Sequence, residues 1–173
     1  MLIALADPCL VLLIGPSGSG KSTFARRHFR GTEVLSSDFC RALVCDDENN
    51  QAATGDAFEL LHLILAKRLQ RRRTTVIDAT NVQVSARAPL IAAAKHWKAQ
   101  VVAIVFALPE AVCQLRNQHR AYRQVPADVI QLQAAKLAES IGHLDSEGLY
   151  SIHLLRTLEE AEAVTVVRQA DYS

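Results

Sequence analysis

Gly15-Pro16-Ser17-Gly18-Ser19-Gly20-Lys21-Ser22 is the stretch on which the fold turns. It fits the spacing G-x-x-x-x-G-K-S/T, and its flanks give the fit its meaning. Upstream, Cys9 to Ile14 (Cys-Leu-Val-Leu-Leu-Ile) is unbroken apolar sequence, as a strand buried on both faces requires. Downstream, a helix is expected from Lys21 to about Phe29, with Gly31 as its stop. A glycine-rich turn between strand and helix can wrap with its N–H groups pointing inward, where the helix dipole also favours an anion. Lys21 adds a mobile positive charge for the β and γ phosphates of a nucleoside triphosphate, and Ser22 a hydroxyl for Mg2+. The candidate nucleotide-binding set is therefore Gly15, Ser17, Gly18, Ser19, Gly20, Lys21, Ser22 and Thr23. The motif is silent on what receives a phosphate.

Strands and helices alternate outward from this point. Short strands are expected at Glu33 to Ser37, Thr74 to Ile77 (ending at Asp78), Val101 to Leu108 and Leu149 to Leu155. Phe58, Leu61, Leu65 and Leu69 fall at helical spacing in Ala57 to Leu69. Ser85 to Trp97 also reads as a helix, with Pro89 in its first turn, and another runs from about Asp128 to Ile141. Asp46 to Thr54 is polar and reads as a loop; the tail fits a helix at Leu158 to Ala163 or a strand at Val164 to Val167. This alternation predicts an α/β fold of P-loop NTPase type, a mostly parallel sheet covered by helices on both faces. With 173 residues and no repeat or linker, a single domain spanning 1–173 is expected.

The bulk numbers exclude several classes. Half of the residues are apolar and the formal net charge is +1, so any basic binding surface must be local. No apolar run approaches the roughly 20 residues of a membrane span, and no membrane partner is expected. Met1 to Leu13 lacks a basic leader segment and reads as the first buried strand. Cys9, Cys40, Cys45 and Cys113 form no C-x-x-C pair, which suits core packing in a reducing cytoplasm.

Three further elements carry chemistry. Asp38 sits where the second strand ends, the edge at which ligands of parallel sheets collect. If a helix begins there, Asp38 and Arg41 share a face. The carboxylate can then accept a proton from an attacking hydroxyl, and Arg41 can grip an anionic group on the same acceptor. Alternatively, Asp38 is a helix cap beside a surface arginine. Arg116 and Arg120, four residues apart, and Arg123 beyond them have no acidic residue between them. They suit a lid over the triphosphate, at about residues 113–141, or a solvated helix end. Asp78 either orients the water shell of Mg2+ or shapes a strand-end turn with Asn81. Arg71-Arg72-Arg73 fits a solvated or dipole-neutralising role better than catalysis. Asp145-Ser146-Glu147-Gly148 matches D-x-x-G by letter but reads as a turn, and no N-K-x-D occurs to read guanine.

With these residues identified, the chain resembles the 5′-kinase domain of bacterial polynucleotide kinase-phosphatase, an RNA end-healing enzyme. The likeness covers Gly15 to Thr23, Glu33 to Arg41, Asp46 to Asn49, Asp78 to Gln83 and Arg116 to Val125. It implies transfer of the γ-phosphate of ATP, with Mg2+, to the 5′-OH end of RNA or DNA. It implies that Lys21 and Ser22 serve phosphate and metal, and that Asp38 is the general base. Arg41 would bind the phosphate on the 3′ side of the terminal nucleoside, and Gln51 would touch the acceptor strand. Arg116, Arg120 and Arg123 would be lid residues near the nucleotide, Arg120 and Arg123 acting in catalysis. Phosphatase and ligase-like adenylyltransferase domains would normally follow in the full-length protein. The residues alone leave open a small-molecule kinase acting on a sugar, nucleoside or antibiotic hydroxyl, and a nucleotide-dependent switch.

Overall fold

The computed structural model describes residues 1–121 and 124–170. In chain order the elements are β1 (Leu2–Asp7), β2 (Cys9–Ile14), α1 (Lys21–His28), β3 (Val34–Ser36), α2 (Ser37–Cys45), α3 (Thr54–Gln70) and β4 (Thr75–Asp78). There follow α4 (Val84–His96), β5 (Gln100–Phe106), α5 (Glu110–Gln118), α6 (Ala127–Ser140), β6 (Ser151–Leu155), α7 (Leu158–Glu162) and β7 (Thr165–Ala170). Five strands form one sheet in the order β3-β4-β2-β5-β6, and β1 and β7 form a separate two-stranded ladder. Every strand pairing among the described residues is parallel.

Strand β2 lies at the centre of the sheet, and its six residues are all buried. The two-residue period of a strand sends alternate side chains to opposite faces. Leu10, Leu12 and Ile14 join Leu61 and Leu65 of α3, Leu90 and Ile91 of α4 and Leu137 of α6. Val11 and Leu13 join Phe24 and Ala25 of α1 together with Ile3 and Leu5 of β1. Strand β5 splits in the same way, with Val101, Ala103 and Val105 on the first face and Val102, Ile104 and Phe106 on the second. Each of these large apolar side chains contributes about 1.5–3 kcal/mol by leaving water, so the two clusters hold the layers together.

Local details depart from the sequence expectations. Met1 to Leu13 is two strands divided at Pro8, because a proline cannot donate to a ladder. The first strand pairs with β7 near the far end of the chain, so the tail forms both the helix and the strand between which its sequence was ambiguous. Helix α1 stops at His28, and Gly31 opens a short 3-10 turn. The chain leaves the helix at Phe29, whose ring is buried in the second cluster. Pro89 lies in the second turn of α4 and not the first. The carbonyl whose i+4 amide it removes is that of Ser85, on an exposed stretch. No helix among the described residues is long and apolar enough to cross a membrane.

Behind the sheet's carboxyl edge, a buried ion pair ties three segments together. Arg87 of α4 is fully buried and forms a two-pronged pair with Glu147. Its remaining donor reaches Asn81 O at 2.8 Å and Ser140 Oγ at 3.3 Å. The Asp145 to Gly148 stretch, expected as a turn, is the end of a 3-10 helix (Ile141–Ser146) with a turn at Glu147 and Gly148, and its Glu147 neutralises a core arginine. Replacing Arg87 with Met should strand Glu147 and cost about 3–5 kcal/mol in urea unfolding. The double variant Arg87→Met/Glu147→Met should recover most of that loss.

Candidate phosphoryl-transfer site

The loop after β2 is drawn round an ammonium group. Lys21 is 7 % exposed, and its Nζ donates to Gly15 O and Pro16 O at 2.8 Å each and to Ser19 Oγ at 3.3 Å. Gly18 and Gly20 have φ of 84° and 98°, the left-handed region that side chains disfavour. A Cβ on Gly18 would also lie 2.1 Å from Cys113 O of α5, so helix and loop are in direct contact there. The loop is braced from the segment just after β4, where Gly15 N donates to Thr80 O at 2.9 Å. Asn81 Nδ2 donates to Leu13 O at 2.8 Å. Burial pushes the Lys21 pKa down to about 8; Asp78 opposes the shift and Arg120 adds to it.

The Ser22 hydroxyl lies beside Asp78, which is 8 % exposed at the carboxyl end of β4. Burial raises the Asp78 carboxyl above its usual range, while the neighbouring Ser22 hydroxyl and Lys21 pull it back. Asp78 thus faces the phosphate loop, and it is Asn81 that shapes the following turn, with φ of 50°. A hydroxyl beside a carboxylate suits Mg2+, which takes one or two protein oxygens and fills its octahedron with phosphate and water. Among the described residues no group of three His, Cys, Asp or Glu forms an all-protein metal site. The Ser22 hydroxyl and the Asp78 carboxyl would serve a metal that arrives with a triphosphate.

On the next strand, Ser36 caps α2 by accepting from Phe39 N, which puts Asp38 inside the first turn and not at the cap. Arg41 follows one turn later and forms a 2.5 Å pair with Asp38. The same Arg41 nitrogen reaches Glu48 O at 2.8 Å. The guanidinium is buried, and its Nε has no hydrogen-bond partner among the described residues. The same holds for Thr54 Oγ1, at the start of α3.

Two cavities meet at these groups. One of about 560 Å³ is lined by Lys21, Ser22, Asp38, Arg41, Gln51, Thr54, Phe58, Asp78 and Arg120, among others. The other, about 750 Å³, is lined by Gly18, Gly20, Ser22, Thr23, Asp38, Arg116 and Arg120, among others. Ser22, Asp38 and Arg120 border both. Two substrates placed one in each cavity would meet at Asp38.

The arginine-bearing segment lies across the loop. Arg116 Nε of α5 donates to Gly18 O at 3.1 Å, and α6 reaches back with Gln133 Oε1 accepting from Ser17 N at 2.8 Å. Helix α5 ends at Gln118, so Arg120 sits on the following turn and not on the same helix as Arg116. Asn117 closes that turn by exchanging two hydrogen bonds with the Val125 backbone. Arg123 lies outside the described residues. Gln51 lies in a short 3-10 turn at the mouth of the first cavity. Thr54, Phe58 and Gln133 escaped the sequence reading. Phe58 read as one of the apolar positions of a helix, and nothing marked the other two as lining the cavity.

A phosphate loop at the carboxyl edge of a five-stranded parallel sheet defines a P-loop kinase-type fold. The family model described as an AAA domain matches residues 10–140, and the chain belongs to that family. It is similar to a chain of the Pnkp1/Rnl/Hen1 RNA repair complex (TM-score 0.70, 24 % identity, 81 % of this chain and 47 % of that one). A second structure of the Pnkp1/Rnl/Hen1 complex aligns at TM-score 0.55 and 25 % identity over 68 % of this chain and 41 % of that one. It is also similar to a gluconokinase from Sinorhizobium meliloti 1021 (TM-score 0.54, 20 % identity, 90 % of each chain). Among curated proteins, transcription factor bHLH140 of Arabidopsis thaliana is 32 % identical over 115 residues, 66 % of this chain and 12 % of that protein. The chain thus spans less than half the length of the repair-complex chains it matches, and a small part of the plant protein.

The depressed pKa of Lys21 has a measurable sign. With the loop free, a pKa of about 8 leaves much of Lys21 neutral at pH 8.5. A bound triphosphate favours the charged form, so binding should take up a proton. Calorimetry at pH 8.5 in two buffers of different ionisation enthalpy should show this uptake in the wild type, and Lys21→Met should abolish it.

Proposed function

We propose that the chain is an ATP-dependent kinase that phosphorylates the 5′-hydroxyl of an RNA or DNA strand. The observation that carries this reading is Asp38, salt-bridged to Arg41 and set where the two cavities meet. In that position the carboxylate accepts the proton of an acceptor hydroxyl as the oxygen attacks phosphorus. Arg41 holds an acceptor phosphate with its remaining donors, and Gln51 flanks the strand. Lys21, Arg116, Arg120 and Arg123 neutralise charge on the donor side. ATP supplies the phosphoryl group, and Mg2+, held by Ser22 with Asp78 close by, supplies charge compensation.

The likeness to chains of an RNA repair complex supports the polynucleotide acceptor. On this reading residues 1–173 are one kinase domain with its lid at about 113–141. The domain would be the N-terminal part of a longer repair protein that also carries phosphatase and ligase-like domains. A second reading, a sugar kinase, is favoured by the gluconokinase likeness, which extends over 90 % of each chain.

One assay separates the two. Radiolabelled ATP is offered with a 5′-OH oligonucleotide and, separately, with gluconate and a panel of sugars and nucleosides. Label in the oligonucleotide alone is the expected result; label in a sugar with the oligonucleotide untouched refutes the proposal. Asp38→Asn should lower kcat by about 10²–10⁴-fold and leave nucleotide affinity intact. Arg41→Ala should act mainly on KM for the acceptor.

A further inference from the structure

A second charged cleft lies at the other end of the sheet, built partly from Arg72 and Arg73 of the run whose sequence fitted a solvated or dipole-neutralising role. It is about 680 Å³ and contains Arg27, Arg30, Arg68, Arg72, Arg73 and Arg168. Asp7, the last residue of β1, and Glu33, just before β3, are its carboxylates, and Thr74 precedes β4. The phosphate loop leaves the opposite end of β2, a strand length of about 20 Å away.

Charge balance separates this cleft from an ordinary solvated surface. Glu33 is held in a two-pronged pair by Arg168, and Asp7 accepts from Thr74. Six guanidiniums against two carboxylates leave four uncompensated positive charges, in a protein whose formal net charge is +1. Helices α1 and α3 end here, and two C-terminal dipoles supply only about one negative charge together. Arg68 is occupied with Thr74 O and Thr75 Oγ1, and Arg27 with Glu162 O. Arg30, Arg72 and Arg73 have no side-chain ion pair among the described residues. His28 Nε2, also in the cleft, is buried without a hydrogen-bond partner among the described residues.

We infer that this cleft is a second anion site, which takes a ligand carrying two or more adjacent phosphates. All six lysine-or-arginine positions are arginine, whose planar fork matches phosphate oxygens two at a time. The ligand can be a free polyphosphate or the backbone of a nucleic-acid strand; the chemistry recognised is the same.

Tripolyphosphate is titrated calorimetrically into the full chain, into Arg72→Glu/Arg73→Glu and into Lys21→Ala, with circular dichroism as the folding control. Arg72 and Arg73 are exposed, so their reversal should leave the fold intact. The expected result is a site that persists in Lys21→Ala and weakens by about a hundredfold or more in the double reversal, as two lost charge-assisted bonds require. A site lost only in Lys21→Ala belongs to the phosphate loop, so the two readings fail separately. Anisotropy of a labelled, 5′-phosphorylated 12-mer of thymidylate then separates the sources. Weaker binding by the double reversal identifies a strand backbone; unchanged binding, with the tripolyphosphate site lost, identifies a free polyphosphate. The inference is overturned if no site survives Lys21→Ala or if the surviving site ignores the reversal. Displacement of tripolyphosphate by poly-glutamate at equal charge would also overturn it.

Discussion

The buried ammonium of Lys21 is the constraint from which the carboxyl edge of the sheet is built. An ammonium taken out of water costs several kcal/mol unless oxygens replace its hydration. Here they come from Gly15, Pro16 and Ser19. Peptide carbonyls can turn toward the centre of so short a loop only if neighbouring residues enter left-handed conformations, as Gly18 and Gly20 do. The loop must also be anchored at its start, which Thr80 and Asn81 accomplish from the segment just after β4. Arg87 then holds Asn81 by its carbonyl, so a core ion pair on α4 supports the phosphate loop through one intermediate residue.

This chain of supports explains why Asp78 stands where it does. The residue ends β4, whose register with β2 sets Asp78 opposite Leu13, one position before the end of that strand. Its carboxylate therefore meets the first turn of α1, where Ser22 supplies a hydroxyl. In the same way β3 lies beside β4, with Ser36 opposite Asp78, so α2 opens at the same edge and brings Asp38 to the junction of the cavities. Parallel register converts three strand ends, far apart in sequence, into one line of polar groups.

That line was largely legible in the sequence because each member follows an apolar strand. Ile14, Leu35 and Ile77 are buried, and the polar residues after them had to lie at the edge. Asp38 and Arg41 needed only the three-residue spacing of a helix to be paired. The legible features share that property: each depends on neighbours a few residues away. The pairing of β1 with β7 was not legible, because it joins residues 2–7 to 165–170 and no local pattern specifies a partner at that distance. Thr54 and Gln133 were hidden for a related reason. They are ordinary polar residues near helix starts and on helix faces, and only the packing of α3 beside α2 and of α6 against the loop brings them to the cavity. The Arg71 to Arg73 run was read as solvated or dipole-neutralising because the other arginines of the cleft come from distant segments, Arg27 from α1 and Arg168 from β7.

The empty valences in the first cavity bear on selectivity. Arg41 Nε and Thr54 Oγ1 are buried and lack partners among the described residues, although one Arg41 nitrogen already serves Asp38 and Glu48. A buried donor left unpaired costs about 1–3 kcal/mol. An acceptor whose oxygens draw these two side chains toward the cavity would relieve that cost on binding, whereas an acceptor offering only a hydroxyl would leave it in place. A site with such atoms discriminates by polar complement more sharply than an apolar pocket discriminates by size. On the reading proposed above, the favoured acceptor would carry polar atoms beyond the reacting oxygen, with an anionic oxygen at Arg41 answering the stronger of the two demands.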